Sequence, residues 1–131
     1  MEDVINFIKS QKISYLATVE NKTQARVRPM NGLVEINNKL VWCTNNQKDM
    51  FKQVVECPNV EVCMFANGKT VRVTGKCVAT KEDSFRKQYL EMMPGVAKLY
   101  GGKEDTLEIL VFETAIATVV DVNGKNTYEL Y

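Results

Sequence analysis

Val60-Glu61-Val62-Cys63-Met64-Phe65-Ala66-Asn67-Gly68-Lys69-Thr70-Val71-Arg72-Val73-Thr74 is the stretch whose reading decides the fold. Two alternating runs of β-formers flank Asn67-Gly68, the residue pair best suited to the positive backbone angles of a two-residue type I′ turn. Ala66 is then expected to pair with Lys69, and Cys63 with Arg72. That register places Val60, Val62, Met64, Val71 and Val73 on one face, a core face. Cys63, Phe65, Thr70, Arg72 and Thr74 fall on the other, which mixes a charge with an aromatic ring.

Working outward, Pro58 ends a helix expected over 46–57, with Asn46 as cap and Phe51, Val54 and Val55 on its apolar face. Before it, Lys39 to Thr44 reads as a strand entered from an Asn37-Asn38 turn. Residues 13–30 read as a hairpin turning at Glu20-Asn21-Lys22-Thr23, and Asn31-Gly32 as a bulge within one long bent strand from 24 to 36. Residues 2–10 form a short amphipathic helix, a lid on the first strand. Downstream, Glu82 to Met93 has helical spacing, and Pro94 restarts a shorter helix that ends at Tyr100 before Gly101-Gly102. Strands follow at Leu107 to Phe112 and Ala115 to Val122, then an Asn123-Gly124 turn and a short strand at 126–130. About seven strands to three helices, joined as hairpins, make an antiparallel barrel with added helices the natural architecture.

The chain has 131 residues, enough for a single domain spanning 1–131 that buries about two-thirds of the surface its unfolded form exposes. Seventeen basic against 16 acidic residues leave a formal net charge of +1, which gives no general pull towards nucleic acid or anionic lipid. Glu2 and Asp3 stand where a signal peptide carries basic residues, and no apolar run reaches membrane-spanning length, so a cytoplasmic protein is expected. Cys43, Cys57, Cys63 and Cys77 form no C-x-x-C pair and the chain has no histidine, which argues against zinc and for unbridged thiols in a reducing compartment.

The candidate site comes from two pieces. In Arg26-Val27-Arg28-Pro29-Met30, alternation sends Arg26, Arg28 and Met30 to one face, the two guanidinium groups rooted roughly 7 Å apart. Two like charges on one face suit an anion, although the same arginines also suit a solvated face paired with Glu35 and Glu61. In Trp42-Cys43-Thr44-Asn45-Asn46-Gln47-Lys48 a strand runs straight into a helix. Free amides, the positive helix end, the Thr44 hydroxyl and the Lys48 ammonium then converge on one spot, as a phosphate monoester requires. Arg72 reads either as a partner-interface residue or as a second anion contact. Trp42, Phe51 and Tyr100 read as packing. No carboxylate pair, Gly-rich phosphate loop or nucleophile elbow occurs, and a thiol nucleophile would lack a histidine base, so any chemistry must come from a cofactor.

Tyr15-Leu16-Ala17-Thr18-Val19, the double-arginine segment and the Trp42 to Lys48 segment together resemble the pyridoxamine 5′-phosphate oxidase-like FMN-binding split barrels. The likeness is nearest to the small nitroimidazole-reductase-like and general-stress-protein-like members, and extends through Pro58 to Val62, Val71 to Gly75 and Pro94 to Tyr100. The resemblance implies a split β-barrel, a homodimer and FMN in a groove between subunits. The phosphate would be held from the Arg26 to Arg28 strand and by Thr44, Asn45 and Lys48, with Asn46 and Arg72 as further contacts. Pro29, Met30 and Cys43 would lie along the flavin ring. The implied activity is that of an FMN-dependent oxidoreductase acting on a small molecule. Vitamin B6 oxidation is not expected, since the chain ends at Tyr131 without the extended substrate segment, and nitroimidazole reduction is not expected without a histidine. Alternatives of other classes are a non-catalytic flavin carrier and a small barrel binding single-stranded nucleic acid through Arg26, Arg28 and Arg72; near-zero net charge and few strand aromatics argue against the latter.

Overall fold

In the computed structural model, which describes residues 1–131, the elements run α1 (Glu2–Ser10), β1 (Ile13–Glu20), β2 (Gln24–Asn31), β3 (Val34–Ile36), β4 (Lys39–Asn45), α2 (Asp49–Glu56), β5 (Asn59–Ala66) and β6 (Lys69–Thr80). They continue with α3 (Asp83–Met92), α4 (Pro94–Leu99), a 3₁₀ turn (Glu104–Thr106), β7 (Leu107–Phe112), β8 (Ile116–Asp121) and β9 (Gly124–Glu129). The nine strands are all antiparallel to their neighbours, in the order β2-β1-β5-β6-β7-β4-β3, with β8 pairing β6 and β9 pairing β8. This is an antiparallel split β-barrel. No helix is long and apolar enough to cross a membrane.

The central hairpin has the expected register, with Ala66 opposite Lys69 and Cys63 opposite Arg72. Asn67 and Gly68 both have positive φ, 53° and 73°, as a type I′ turn demands. Strand β6 is long because it serves two sheets: Thr70 to Thr74 pair with β8, whereas Cys77 to Thr80 pair with β7. Between them the chain bends at Gly75, where an added Cβ would lie 1.9 Å from the carbonyl oxygen of Thr114. A glycine is therefore required by close approach rather than by backbone angle.

One expectation fails at the other end of the hairpin sequence. Residues 24 to 36 are not a single bent strand, because β2 stops at Asn31 and β3 begins at Val34 in the other sheet. Gly32 still follows β1: its N–H donates to the carbonyl of Lys12 at 2.9 Å, the next rung after Ile13 and Asn31, and a Cβ there would sit 1.9 Å from the carbonyl oxygen of Gln11. β2 thus stays on β1 to its end, and the chain crosses to the other sheet over Gly32 and Leu33. The terminal strand also starts earlier than expected: Asp121 pairs with Gly124, so Val122 and Asn123 make the turn.

The core has two compartments. Inside the barrel Leu16, Trp42, Val62, Met64, Val71, Val73, Leu110 and Phe112 pack with Val54 of α2, which closes one mouth. On the far side of β4 and β7 a smaller cluster of Ile36, Val41, Leu107 and Ile109 meets Tyr89, Val96 and Tyr100 from α3, α4 and the residue after α4. Because β7 is covered on both faces its sequence is apolar throughout, apart from Glu108. The phenol of Tyr131 accepts from Leu40 N–H at 3.1 Å and donates to the Phe112 carbonyl at 2.7 Å, extending the β4–β7 ladder by one position. Gly75→Ala is expected to destabilise the protein by about 2 kcal/mol or more, since backbone rather than a flexible side chain blocks the new methyl; urea unfolding checks it.

Candidate functional site

Strand β4 leaves its sheet at Asn45 and the chain enters α2 two residues later than its sequence suggests. The helix begins at Asp49 with Lys48 as N-cap, and no side chain caps it. Asn46 is not the cap, because its side-chain amide donates instead to the Asp105 carbonyl and to Glu108 Oε2, both at 2.9 Å. Asn45 shapes the loop by accepting from Gln47 N–H at 2.7 Å, a short side-chain-to-backbone turn. The first amides of α2 are thus left without side-chain partners and Lys48 stands at the positive helix end.

This loop borders a cleft of about 370 Å³ lined by Ile13, Pro29, Met30, Asn31, Cys43, Thr44, Lys48, Met50, Val96, Leu99 and Tyr100. It occupies the split of the barrel. The two-residue turn at Asn37-Asn38 makes Ile36 and Lys39 a hydrogen-bonded pair, so the odd-numbered residues of β4 aim their backbone groups towards β3. Since β3 reaches only to Val34, opposite Val41, the N–H and C=O of Cys43 face the cleft with no strand beside them. Across the gap β2 is likewise an edge strand, and Pro29 and Asn31 line the opposite wall. Two sheet edges therefore confront each other with backbone groups to satisfy.

Thr44 is 4% exposed and its hydroxyl has no hydrogen-bond partner. A buried hydroxyl without a partner costs about 1–3 kcal/mol, which a ligand in the cleft would recover. The Lys48 ammonium makes no ion pair with any residue of the chain. Burial raises the Cys43 thiol above its usual range, against smaller opposing effects of the Tyr89 hydroxyl and the Lys48 charge, so the thiol is neutral at pH 7. Burial also raises Tyr100, whose polar neighbours are Cys43 and Asn45. Tyr89, wholly buried behind Cys43, is pushed upward by burial and its hydroxyl is also unpartnered.

The structure thus brings Pro29, Met30, Cys43, Thr44 and Lys48 into one cleft, with Asn45 beside Tyr100 and Asn46 anchoring the loop from behind. The arginines lie elsewhere. Arg28 Nη1 donates to Thr18 Oγ1 at 2.7 Å and to the Leu16 carbonyl at 3.3 Å, and Nη2 donates to Gln53 Oε1 at 2.8 Å. The Thr18 hydroxyl donates to the same Gln53 oxygen at 2.5 Å, and Gln53 Nε2 donates to Glu20 Oε2 at 3.2 Å. Burial, then the nearby Arg26 charge, lowers the Arg28 pKa from its ordinary value. Arg26 pairs with Glu20 at 2.8 Å, whose carboxyl it holds below the usual range by hydrogen bond and charge. Neither arginine pairs with Glu35 or Glu61; Lys9 takes the first and Arg72 lies 4.0 Å from the second. Arg72 sits on the outward face of the sheet, opposite Cys63 and Thr118, away from the cleft.

A sequence profile of the pyridoxamine 5′-phosphate oxidase family matches residues 1–122. The chain belongs to this family. No curated protein sequence matches it. Among solved structures, a NimC/NimA family protein from Clostridium acetobutylicum is similar at 29% identity and a TM-score of 0.87, over 98% of this chain and 91% of the other. A pyridoxamine 5′-phosphate oxidase-related, FMN-binding protein from Nostoc punctiforme shares the fold at 17% identity and a TM-score of 0.65, covering 96% and 86%. A heme-binding protein from Mycobacterium smegmatis does so at 13% identity and a TM-score of 0.80, covering 98% of this chain and 57% of that one.

Within this oxidase-family barrel three residues matter that the sequence reading passed over: Glu108, Gln53 and Thr18. Glu108 had a signal, a lone carboxylate in an otherwise apolar strand, which must find partners if buried. Gln53 had none, as its role depends on Arg28 reaching α2; Thr18 lies diagonally opposite Arg28 in the β1–β2 hairpin, a neighbourhood the hairpin itself implies. Gln53→Leu is expected to cost about 1–3 kcal/mol by stripping Arg28 and Thr18 of a shared buried acceptor. Arg26→Ala, which breaks an exposed pair, should cost far less. Chemical denaturation of both variants checks the ranking.

Proposed function

We propose that the cleft holds FMN and that the protein is an FMN-dependent oxidoreductase of small molecules, working as a homodimer. The observation that carries this reading is the unpartnered, buried Thr44 hydroxyl beside the unpaired Lys48 ammonium at an uncapped helix start. Together they supply a neutral donor, a charge and free amides to a phosphate monoester. Asn45 would help orient that group, and Arg28 stands one network away. The exposed backbone of Cys43, Pro29 and Asn31 suits the hydrogen-bonding edge of a flavin ring. Met30, Val96, Leu99 and Ile13 supply apolar walls that exclude water from it.

Bound FMN would supply hydride and electron transfer. The chain's own part is to bind, orient and shield: the lining contains no carboxylate or histidine, and its protic side chains near Cys43 are that neutral thiol and the Tyr100 phenol. Heme is a second reading suggested by relatives of the same fold. It is less favoured, because without histidine the axial ligand would have to be Cys43, Tyr100 or a methionine of the lining. The absorption spectrum of the purified protein separates the two.

The homodimer is supported by the outward face of the β2-β1-β5-β6-β8 sheet, where Tyr15, Val27, Phe65 and Ile116 are exposed together. Phe65 alone is 69% exposed, and apolar exposure repeated across one sheet face marks an interaction surface. Closed two-fold pairing would cover it and bring Arg72 of one subunit towards its partner. Sedimentation showing an FMN-loaded monomer at micromolar concentration would refute the dimer.

Lys48→Ala tests the phosphate assignment. It removes a charge-assisted hydrogen bond worth about 1.5–3 kcal/mol, so FMN affinity should fall roughly 10- to 150-fold. Riboflavin, which lacks the phosphate, should bind almost unchanged. Titrating both variants with both ligands decides the matter, and equal losses for the two would remove Lys48 from the phosphate site.

A further inference from the structure

Glu108 is a carboxylate with 5% of its surface exposed, set in a strand otherwise made of apolar residues covered on both faces. Burying a charge is costly unless it is paired and hydrogen-bonded, and here both oxygens are engaged. Lys81 Nζ donates to Oε1 at 3.0 Å and to Oε2 at 3.1 Å, and Asn46 Nδ2 donates to Oε2 at 2.9 Å. Lys81 reaches in from solvent, its side chain 73% exposed. Asn46 is half-buried and belongs to the loop that carries Lys48.

That loop is fastened through Asn46. Its N–H donates to the Thr106 carbonyl at 2.8 Å, its amide also reaches the Asp105 carbonyl, and its Oδ1 accepts from Gln47 Nε2 at 2.8 Å. Glu108 is also the cross-strand partner of Thr44, on the same face of the sheet. Oε1 accepts from Lys81 and Oε2 from Lys81 and Asn46; the Thr44 hydroxyl is buried and is not among the partners of Glu108.

We propose that Glu108 is a positioning residue for phosphate recognition: by holding Asn46 it fixes the Asn45–Lys48 loop. The proposal rests on the FMN reading above. It accounts for a buried charge that neither the barrel core nor the cleft lining explains. It also carries a counter-intuitive sign. A carboxylate next to an anion site repels the anion, so a purely electrostatic role predicts that neutralising Glu108 tightens FMN binding. A positioning role predicts that losing the acceptor weakens it.

Three variants, titrated with FMN and with riboflavin, separate these roles. Glu108→Met removes the acceptor while keeping an apolar residue of similar length in an apolar strand. It should weaken FMN on the order of 10-fold and leave riboflavin within about 2-fold. Glu108→Gln removes the charge but keeps an acceptor for Asn46, and should stay within about 3-fold of wild type for both ligands. Asn46→Ala leaves the Glu108–Lys81 pair intact and should reproduce the phosphate-specific loss, which keeps the test alive should Glu108→Met fold poorly. Amide exchange in the ligand-free protein gives an independent readout: Glu108→Met and Asn46→Ala should speed exchange at Gln47 to Asp49 without changing it across β7. Tighter FMN binding by both Glu108 variants, equal losses for both ligands, or unchanged loop exchange would overturn the proposal. A wild-type protein that takes up no FMN would instead sink the cofactor reading itself, and this inference with it.

Discussion

Gly32 donates its N–H to the carbonyl of Lys12 and packs its bare Cα against the carbonyl of Gln11, and on this contact the rest of the structure depends. A side chain there would collide with backbone, so only a glycine keeps this last rung of the β1–β2 ladder. The ladder holds the end of β2 to β1; were position 32 beside β4 instead, it would lie opposite Cys43 in the register that pairs Val34 with Val41. With β2 kept on β1 and β3 reaching only to Val34, the Cys43 edge has no strand beside it and a cleft lies between the two sheets.

Opening a barrel leaves polar backbone facing a cavity, and the protein offsets this by rigidity elsewhere. Strand β6 ties both sheets together through its bend at Gly75. The Arg28–Thr18–Gln53 network fixes α2 to the β1–β2 hairpin from one side. The Glu108–Asn46 contact fixes the loop before α2 from the other. The helix start that carries Lys48 is held at both ends although no side chain caps it. Such fixation suits the proposed anion site, because donors already in place would lose little entropy on binding a ligand.

What could be read from the sequence was what the sequence encodes locally. The central hairpin was legible to the residue because an Asn-Gly turn and period-two alternation set the register without outside help. That Thr44 and Lys48 lie together was legible because a strand feeding a helix start is itself a local pattern, whereas Pro29, Met30 and Cys43, which line the same cleft, came from the family resemblance. Apart from the one-residue shift of the last turn, the failures involve distant partners. Asn46 has the composition of a cap, yet a carboxylate 62 residues away outbids the helix amides for its side chain. Arg28 looked like a free cation, yet Gln53, 25 residues on, claims one arm of its guanidinium. Gly32 looked like a bulge, because nothing near it in sequence announces the Gln11 carbonyl.

Family membership and fold leave the choice of ligand to a few atoms, and those atoms favour an anion next to a flat, amide-edged group. The Thr44 hydroxyl and Lys48 ammonium make one polar end, while exposed strand backbone and the side chains of Met30, Val96 and Leu99 make an adjoining wall. A nucleic-acid strand would want aromatic rings along a cationic track. Here Arg26 and Arg28 are spent on Glu20 and Gln53, and Arg72 lies on the outward sheet face near Glu61. Of the cations that sequence alone would assign to a polyanion, Arg26 and Arg28 are held by neighbours on the β1–β2 hairpin and α2 and Arg72 lies on another face, whereas Lys48, which makes no ion pair, lines the cleft. That distribution of charge, more than the net charge of the chain, is what supports a single phosphate in the proposed reading of the cleft.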